Sequence, residues 1–202
     1  MAAVDAAVVS TEELRAARRH GYDSERPDVL ALVPRSARAV LDLPAIAAER
    51  LDRVELGDVE TFCAGPPPDE APFDCLVCAD VLEHLVDPWT ALERASAWLA
   101  PGATVVISLP NVLWYRNLRR LVRHRSFPRD AVGQFDRTHL RWFSLSDAKA
   151  LLEGAGLTVT AVDLRFWELR PNRLRLLRAL ARTKLEPYLA GQHVLAAVKP
   201  GR

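Results

Sequence analysis

Two near-continuous apolar runs, FDCLVCA at 73–79 and TVVISL at 104–109, constrain this chain more than any other feature. A strand that is apolar on both faces is buried on both, which happens in parallel sheets covered by helices. Between the runs, Trp89, Leu92, Ala95 and Leu99 recur at helical spacing over 88–99 behind Pro88, and Pro101-Gly102 turns the chain back. That strand–helix–strand order predicts an α/β fold with a doubly wound, mostly parallel sheet and helices on both faces.

The same reading extends in both directions. Upstream it predicts a polar helix over 11–20 capped by Ser10 or Thr11, a helical turn from Arg26 to Val33, a strand over 39–43, a helix over 44–51, a strand over 53–57 and a Pro-rich loop over 63–72. Downstream it predicts a helix over 112–124, a loop to about 143, a helix over 145–154 closed by Gly154 and Gly156, and a strand over 157–166. A basic amphipathic helix over 172–185 and a last strand over 192–198 complete the chain. With 202 residues the expectation is one domain, an N-terminal helical extension over 1–25 and a core over 26–200.

Composition excludes more than it selects. Charged residues are 26% and hydrophobic residues 50%, as in ordinary globular chains, and 27 basic against 26 acidic side chains predict no partner by net charge. Arginines cluster at 116–125 and 170–184 without acids, which reads first as solvated helix faces; no base-reading motif accompanies them, so nucleic acid is not assigned. No apolar stretch reaches the roughly 20 residues of a spanning helix, and Asp5, Glu12 and Glu13 interrupt any signal-like run, so the expected location is the cytoplasm. Cys75 and Cys78 form a C-x-x-C, but three apart on a strand they point to opposite faces, and no metal site is assigned.

In doubly wound sheets ligands lie beyond the carboxyl ends of the strands. Asp42, Asp58, Asp80 and Asn111 each stand at or just past such an end.

Here the chain resembles the class I S-adenosylmethionine-dependent methyltransferases. The resemblance is carried by GDVE (57–60), by FDCLVCADVLEHLVDPWTALERASAWLAPGATVVISLPNV (73–112) and by DRTHLRWFS (136–144), and it runs in order from about 26 to 198. It implies a Rossmann-like fold, S-adenosylmethionine as cofactor and a small-molecule or cell-surface biosynthetic methyl acceptor. By matching positions it assigns adenine recognition to Asp58 and Val59, pocket lining to Ala79, Asp80 and Val81, and the acid before the cofactor loop to Asp42. His139, beside Arg141 and Trp142 in a polar loop, is the candidate for substrate contact or general base; the alternative is a structural hydrogen-bonding residue. Asn111, Tyr115 and Arg141 are candidate substrate contacts, with capping of the next helix as the alternative for Asn111 and core packing for Tyr115. His84 reads chiefly as a brace for its turn.

One motif is missing. The family's first strand runs into G-x-G-x-G, where residues without Cβ let the backbone approach the cofactor and a helix N-terminus offers free N–H groups. Here the strand runs into Pro44, and only nine residues, 44–52, separate Leu43 from Arg53. A parallel crossover needs about a dozen or more. The expectation is therefore a fold shortened by a helix–strand unit, whose exposed edge would be covered by the terminal helices or by a second copy in a homodimer. It also leaves an alternative to catalysis: a methyltransferase-like scaffold or binding protein.

Overall fold

The computed structural model describes residues 26–37, 40–42, 58–130, 133–166, 183 and 185–201. The expected elements at 11–20, 44–51 and 53–57 lie outside these residues, as do the junction at Leu43 and Pro44 and the expected helix over 172–185 apart from residues 183 and 185.

Five strands form one sheet: β1 (Val40–Asp42), β2 (Phe73–Ala79), β3 (Leu99–Pro110), β4 (Thr158–Arg165) and β5 (Gln192–Val198), in the order β1-β2-β3-β5-β4. β1, β2 and β3 are mutually parallel, with Asp42 opposite Val77 and Ser108 opposite Ala79. β5 lies antiparallel between β3 and β4. Four strands thus run one way and the last one inserts against them, which keeps the sheet mostly parallel. Among the described residues β1 is an edge.

The apolar runs are buried on both sides as their composition requires. On one face Leu76, Cys78, Val105, Ile107 and Leu195 meet α2 (Val59–Ala64), α3 (Pro88–Ala97) and α5 (Leu145–Gly154) through Cys63, Leu92, Ala95, Ala148, Leu151 and Leu152. On the other, Cys75, Val77, Ala79, Val106 and Val194 are covered by α1 (Pro27–Leu30) and the turn after it, through Val29, Leu32, Val33 and Ala37. Each fully buried aliphatic side chain contributes about 1.5–3 kcal/mol, so the two-sided sheet is the main source of stability. Cys75 and Cys78 fall on opposite faces, both reduced and buried.

Local signals place several boundaries. α3 begins at Pro88 behind Asp87, whose carboxylate accepts from Thr90 N at 3.1 Å. α5 carries a capping box between Ser144 and Asp147, and Gly156 just beyond it takes φ +76°, open to glycine without strain. Two expectations shift. β3 begins at Leu99 rather than 104, because Gly102 at φ +80° stays in line and donates its N–H to Lys199 O at 2.9 Å. The helix expected from 112 is α4 (Tyr115–His124), which starts after a turn spanning Asn111–Trp114.

Candidate functional site

The carboxyl ends of β1 and β2 lie side by side, since Asp42 pairs in register with Val77 and Asp80 follows three residues on. Asp80 sits at φ +57°, a left-handed conformation that a non-glycine residue holds only when its surroundings enforce it. They do. Its N–H donates to Ser108 O at 3.1 Å, Gln192 Nε2 and Ser108 Oγ donate to Oδ1, and the Arg26 guanidinium pairs with Oδ2.

Arg26 forks across the strand ends. It donates to Asp28 from Nε at 3.1 Å and Nη2 at 3.0 Å, and from Nη2 to Ser108 Oγ at 2.7 Å, while Arg165 stands 3.5 Å from Asp28. The two acids respond differently. Burial pushes the Asp28 carboxyl up, but the hydrogen bond and charge of Arg26 prevail and hold it below its ordinary value. At Asp80 burial wins over the same guanidinium, and its pKa is raised. Arg26, Asp28, Ser108 and Gln192 were not singled out from the sequence, because they come from three distant segments.

Ala79 and Val81 flank Asp80 but are themselves core residues, Ala79 wholly buried on the α1 side and Val81 on the helix side. Asp58 caps α2, accepting from Thr61 N at 2.7 Å; that bond holds its carboxyl below the ordinary value. Val59 is half-buried against the core. Glu60 in the same GDVE stretch accepts from Val86 N at 3.1 Å and Asp87 N at 2.7 Å, tying the mouth of α2 to the start of α3.

The loop after α4 is stitched onto the turn after β2. Glu83 O accepts from Leu140 N at 2.8 Å and Arg141 N at 3.0 Å, and Arg141 also donates from Nε to Val86 O at 3.1 Å with its guanidinium over the Trp89 ring. This sets the His84 and His139 rings edge to face with centroids 4.7 Å apart. His139 Nδ1 lies 3.2 Å from Gln134 O; a carbonyl only accepts, so Nδ1 carries the proton and Nε2 the lone pair. Burial, then the charge of His84, lowers the His139 pKa, so the imidazole is neutral near pH 7. Phe127, Leu140 and Trp142 of this loop are exposed.

Asn111 is fully buried, its Nδ2 donating to Pro187 O and Ala190 O at 2.8 Å each and its Oδ1 accepting from Leu113 N at 3.0 Å. The geometry makes it a brace between β3 and the turn before β5; the N-cap position of α4 is Trp114, whose side chain makes no capping hydrogen bond. Tyr115 is partly exposed at the first turn of α4, where its hydroxyl accepts from Arg116 Nε at 3.3 Å. Among the described residues no helix is long and apolar enough to cross a membrane.

Comparison with known proteins adds an independent line. The family described as "Methyltransferase domain" matches residues 1–162. An uncharacterized 37.1 kDa transposon protein of Streptomyces fradiae is 34% identical over 91 residues, which is 45% of this chain and only 22% of that protein. Among solved structures, a SAM-dependent methyltransferase from Thermotoga maritima superposes with a TM-score of 0.57 at 19% identity, covering 93% of this chain and 94% of its own. One from Archaeoglobus fulgidus gives 0.54 at 15% identity over 94% and 95% of the two chains. At these identities the likeness is one of fold.

Proposed function

Because the chain belongs to the methyltransferase-domain family, we propose that it transfers a methyl group from S-adenosylmethionine to a small-molecule or cell-surface biosynthetic acceptor. The observation that supports this best is the site itself. Asp80 is held in a left-handed turn at the end of β2, next to the end of β1, with the loop bearing a neutral His139 stitched directly beside it through Glu83.

The described residues fit one half of such a cofactor. Asp58 stands exposed at the N-terminus of α2 with Val59 behind it, suited to adenine recognition, and Asp42, Ala79, Asp80 and Val81 border the strand ends. The glycine cradle that would receive the methionine end has no counterpart in the sequence, where Pro44 follows the first strand. Held at the strand ends by these residues, S-adenosylmethionine would supply a methyl group carried on a cationic sulfur. His139 Nε2 takes the acceptor's proton where it carries one, and Tyr115 and Arg141 orient it. Positioning supplies most of the acceleration, with general-base help of roughly 10²–10⁴-fold.

A second reading has its own observation. Arg26 already pairs with Asp80, and the glycine loop is absent, as expected of a non-catalytic scaffold on the same fold. Titration calorimetry with S-adenosylmethionine and S-adenosylhomocysteine separates the two. Saturable heat with a rise in Tm supports the enzyme; neither signal at millimolar ligand overturns it and leaves the scaffold.

A further inference from the structure

Glu83 is 1% exposed, and among the described residues neither carboxylate oxygen has a hydrogen-bond partner. A buried carboxyl without partners either keeps its proton or meets a cation. What stands nearest is chemically specific: one ligand-capable atom each from Glu83, His84 and His139 lie within 4.8 Å of one another.

We propose that Glu83, His84 and His139 form a binding site for one divalent transition-metal ion. Two imidazoles and one carboxylate are a donor set suited to zinc, manganese, iron or cobalt rather than to calcium or magnesium, which prefer all-oxygen sites. The surrounding bonds prepare the imidazoles as ligands. His84 Nδ1 donates to Thr138 O at 3.2 Å and lies 3.1 Å from Thr138 Oγ1, while Thr138 Oγ1 donates to Asp136 Oδ1 at 2.7 Å. His139 Nδ1 donates to Gln134 O at 3.2 Å. Each ring is thereby held in the tautomer whose Nε2 carries the lone pair, the arrangement that metal-ligating histidines use, with the chain Asp136–Thr138 behind His84 as outer-sphere support. The backbone bonds from Leu140 and Arg141 to Glu83 O bring the two halves of the site together. Three protein ligands leave coordination positions for water or for an oxygen of a bound molecule. The site was not legible in the sequence because His139 follows His84 by 55 positions, outside any metal-ligand spacing.

The site does not depend on S-adenosylmethionine, so failure of that cofactor to bind leaves it intact; with a metal bound, His139 Nε2 is a ligand and no longer the base that takes the acceptor's proton. Its test uses the whole chain, treated with chelator and titrated with Co²⁺ by visible absorption and with Zn²⁺ by calorimetry. One ion per chain is expected, with affinity falling by about tenfold or more in Glu83→Gln and in His139→Ala, and by about tenfold in Thr138→Val. His139→Ala removes a half-buried ring and serves if the Glu83 variant does not fold. No binding at millimolar metal overturns the proposal, as does binding whose affinity is unchanged in both ligand variants.

Discussion

Arg26 and Asp80, 54 positions apart, form an ion pair over the carboxyl end of β2, with side chains 13% and 22% exposed. The guanidinium simultaneously holds Asp28 and Ser108, so one side chain links the segment before α1 to β2 and β3. Arg26→Met removes the cation and leaves two acids facing each other. It is expected to cost about 3 kcal/mol in urea unfolding. Asp80→Asn on that background is expected to recover part of the loss, since Gln192 and Ser108 can still donate to the amide oxygen; strict additivity would show that the pair is not coupled.

Asn111 predicts the opposite outcome for two similar substitutions. Asn111→Ala leaves two carbonyls and one N–H without their side-chain partners in a buried site, about 2–4 kcal/mol. Asn111→Asp is worse, because it sets a carboxylate oxygen against Pro187 O and Ala190 O, where the amide donated. Thermal melts check the order, with Tm expected to drop by roughly 5–10 °C for alanine and more for aspartate.

His139 is tested by rate rather than stability. His139→Gln is expected to lower kcat by roughly 10²–10⁴-fold for an acceptor that loses a proton, with little change in Tm. Burial and His84 depress the His139 pKa below 6.5, so the acidic limb of the wild-type kcat/KM profile lies below that pH. An acidic limb above pH 7 would rule out this imidazole as the base.

His193, 1% exposed on β5, gives a pH-dependent stability. Burial first, then the nearby charge of Lys149, lowers its pKa to about 4 from 6.5. The unfolded chain therefore binds more protons between these values, and the stability contributed by a neutral His193 is complete above about pH 6.5 and lost as pH falls toward 4. The full difference is on the order of 3 kcal/mol. Glu83, raised well above its usual range by burial and then by Asp80, acts in the opposite sense, losing stability as pH rises. The comparison that isolates His193 is therefore wild type against His193→Leu by urea unfolding at pH 7 and pH 4.5; the variant should be gaining relative stability on the acid side, and parallel curves would refute the assignment.

The strands at 73–79 and 192–198 and the helix at 145–154 lie where sequence patterning puts them, because a two-sided apolar run and a capped amphipathic stretch are both local signals. α2 was not legible as a helix: six residues, VETFCA, carry too little periodicity, and the Pro-rich segment behind them reads as loop. The start of β3 was displaced by Pro101-Gly102, which reads as a turn yet continues the strand once Leu99 pairs with Phe73. Within the site, Asp80 was found from its position at a strand end. Its partners Arg26, Ser108 and Gln192 had no signal, since nothing local marks which distant donor will reach a given carboxylate.

By itself the sequence determined the kinds of element and the side on which each is apolar, through periods of 3.6 and 2 that act over a few residues. It also determined that the chain lacks the glycine loop, an absence written at Pro44. Tertiary structure alone decided that β5 inserts antiparallel between β3 and β4, that Arg26 closes on Asp80, and that Glu83, His84 and His139 meet. Those outcomes depend on which buried faces and polar groups satisfy one another after long loops have closed, and that information resides in no single window of the chain.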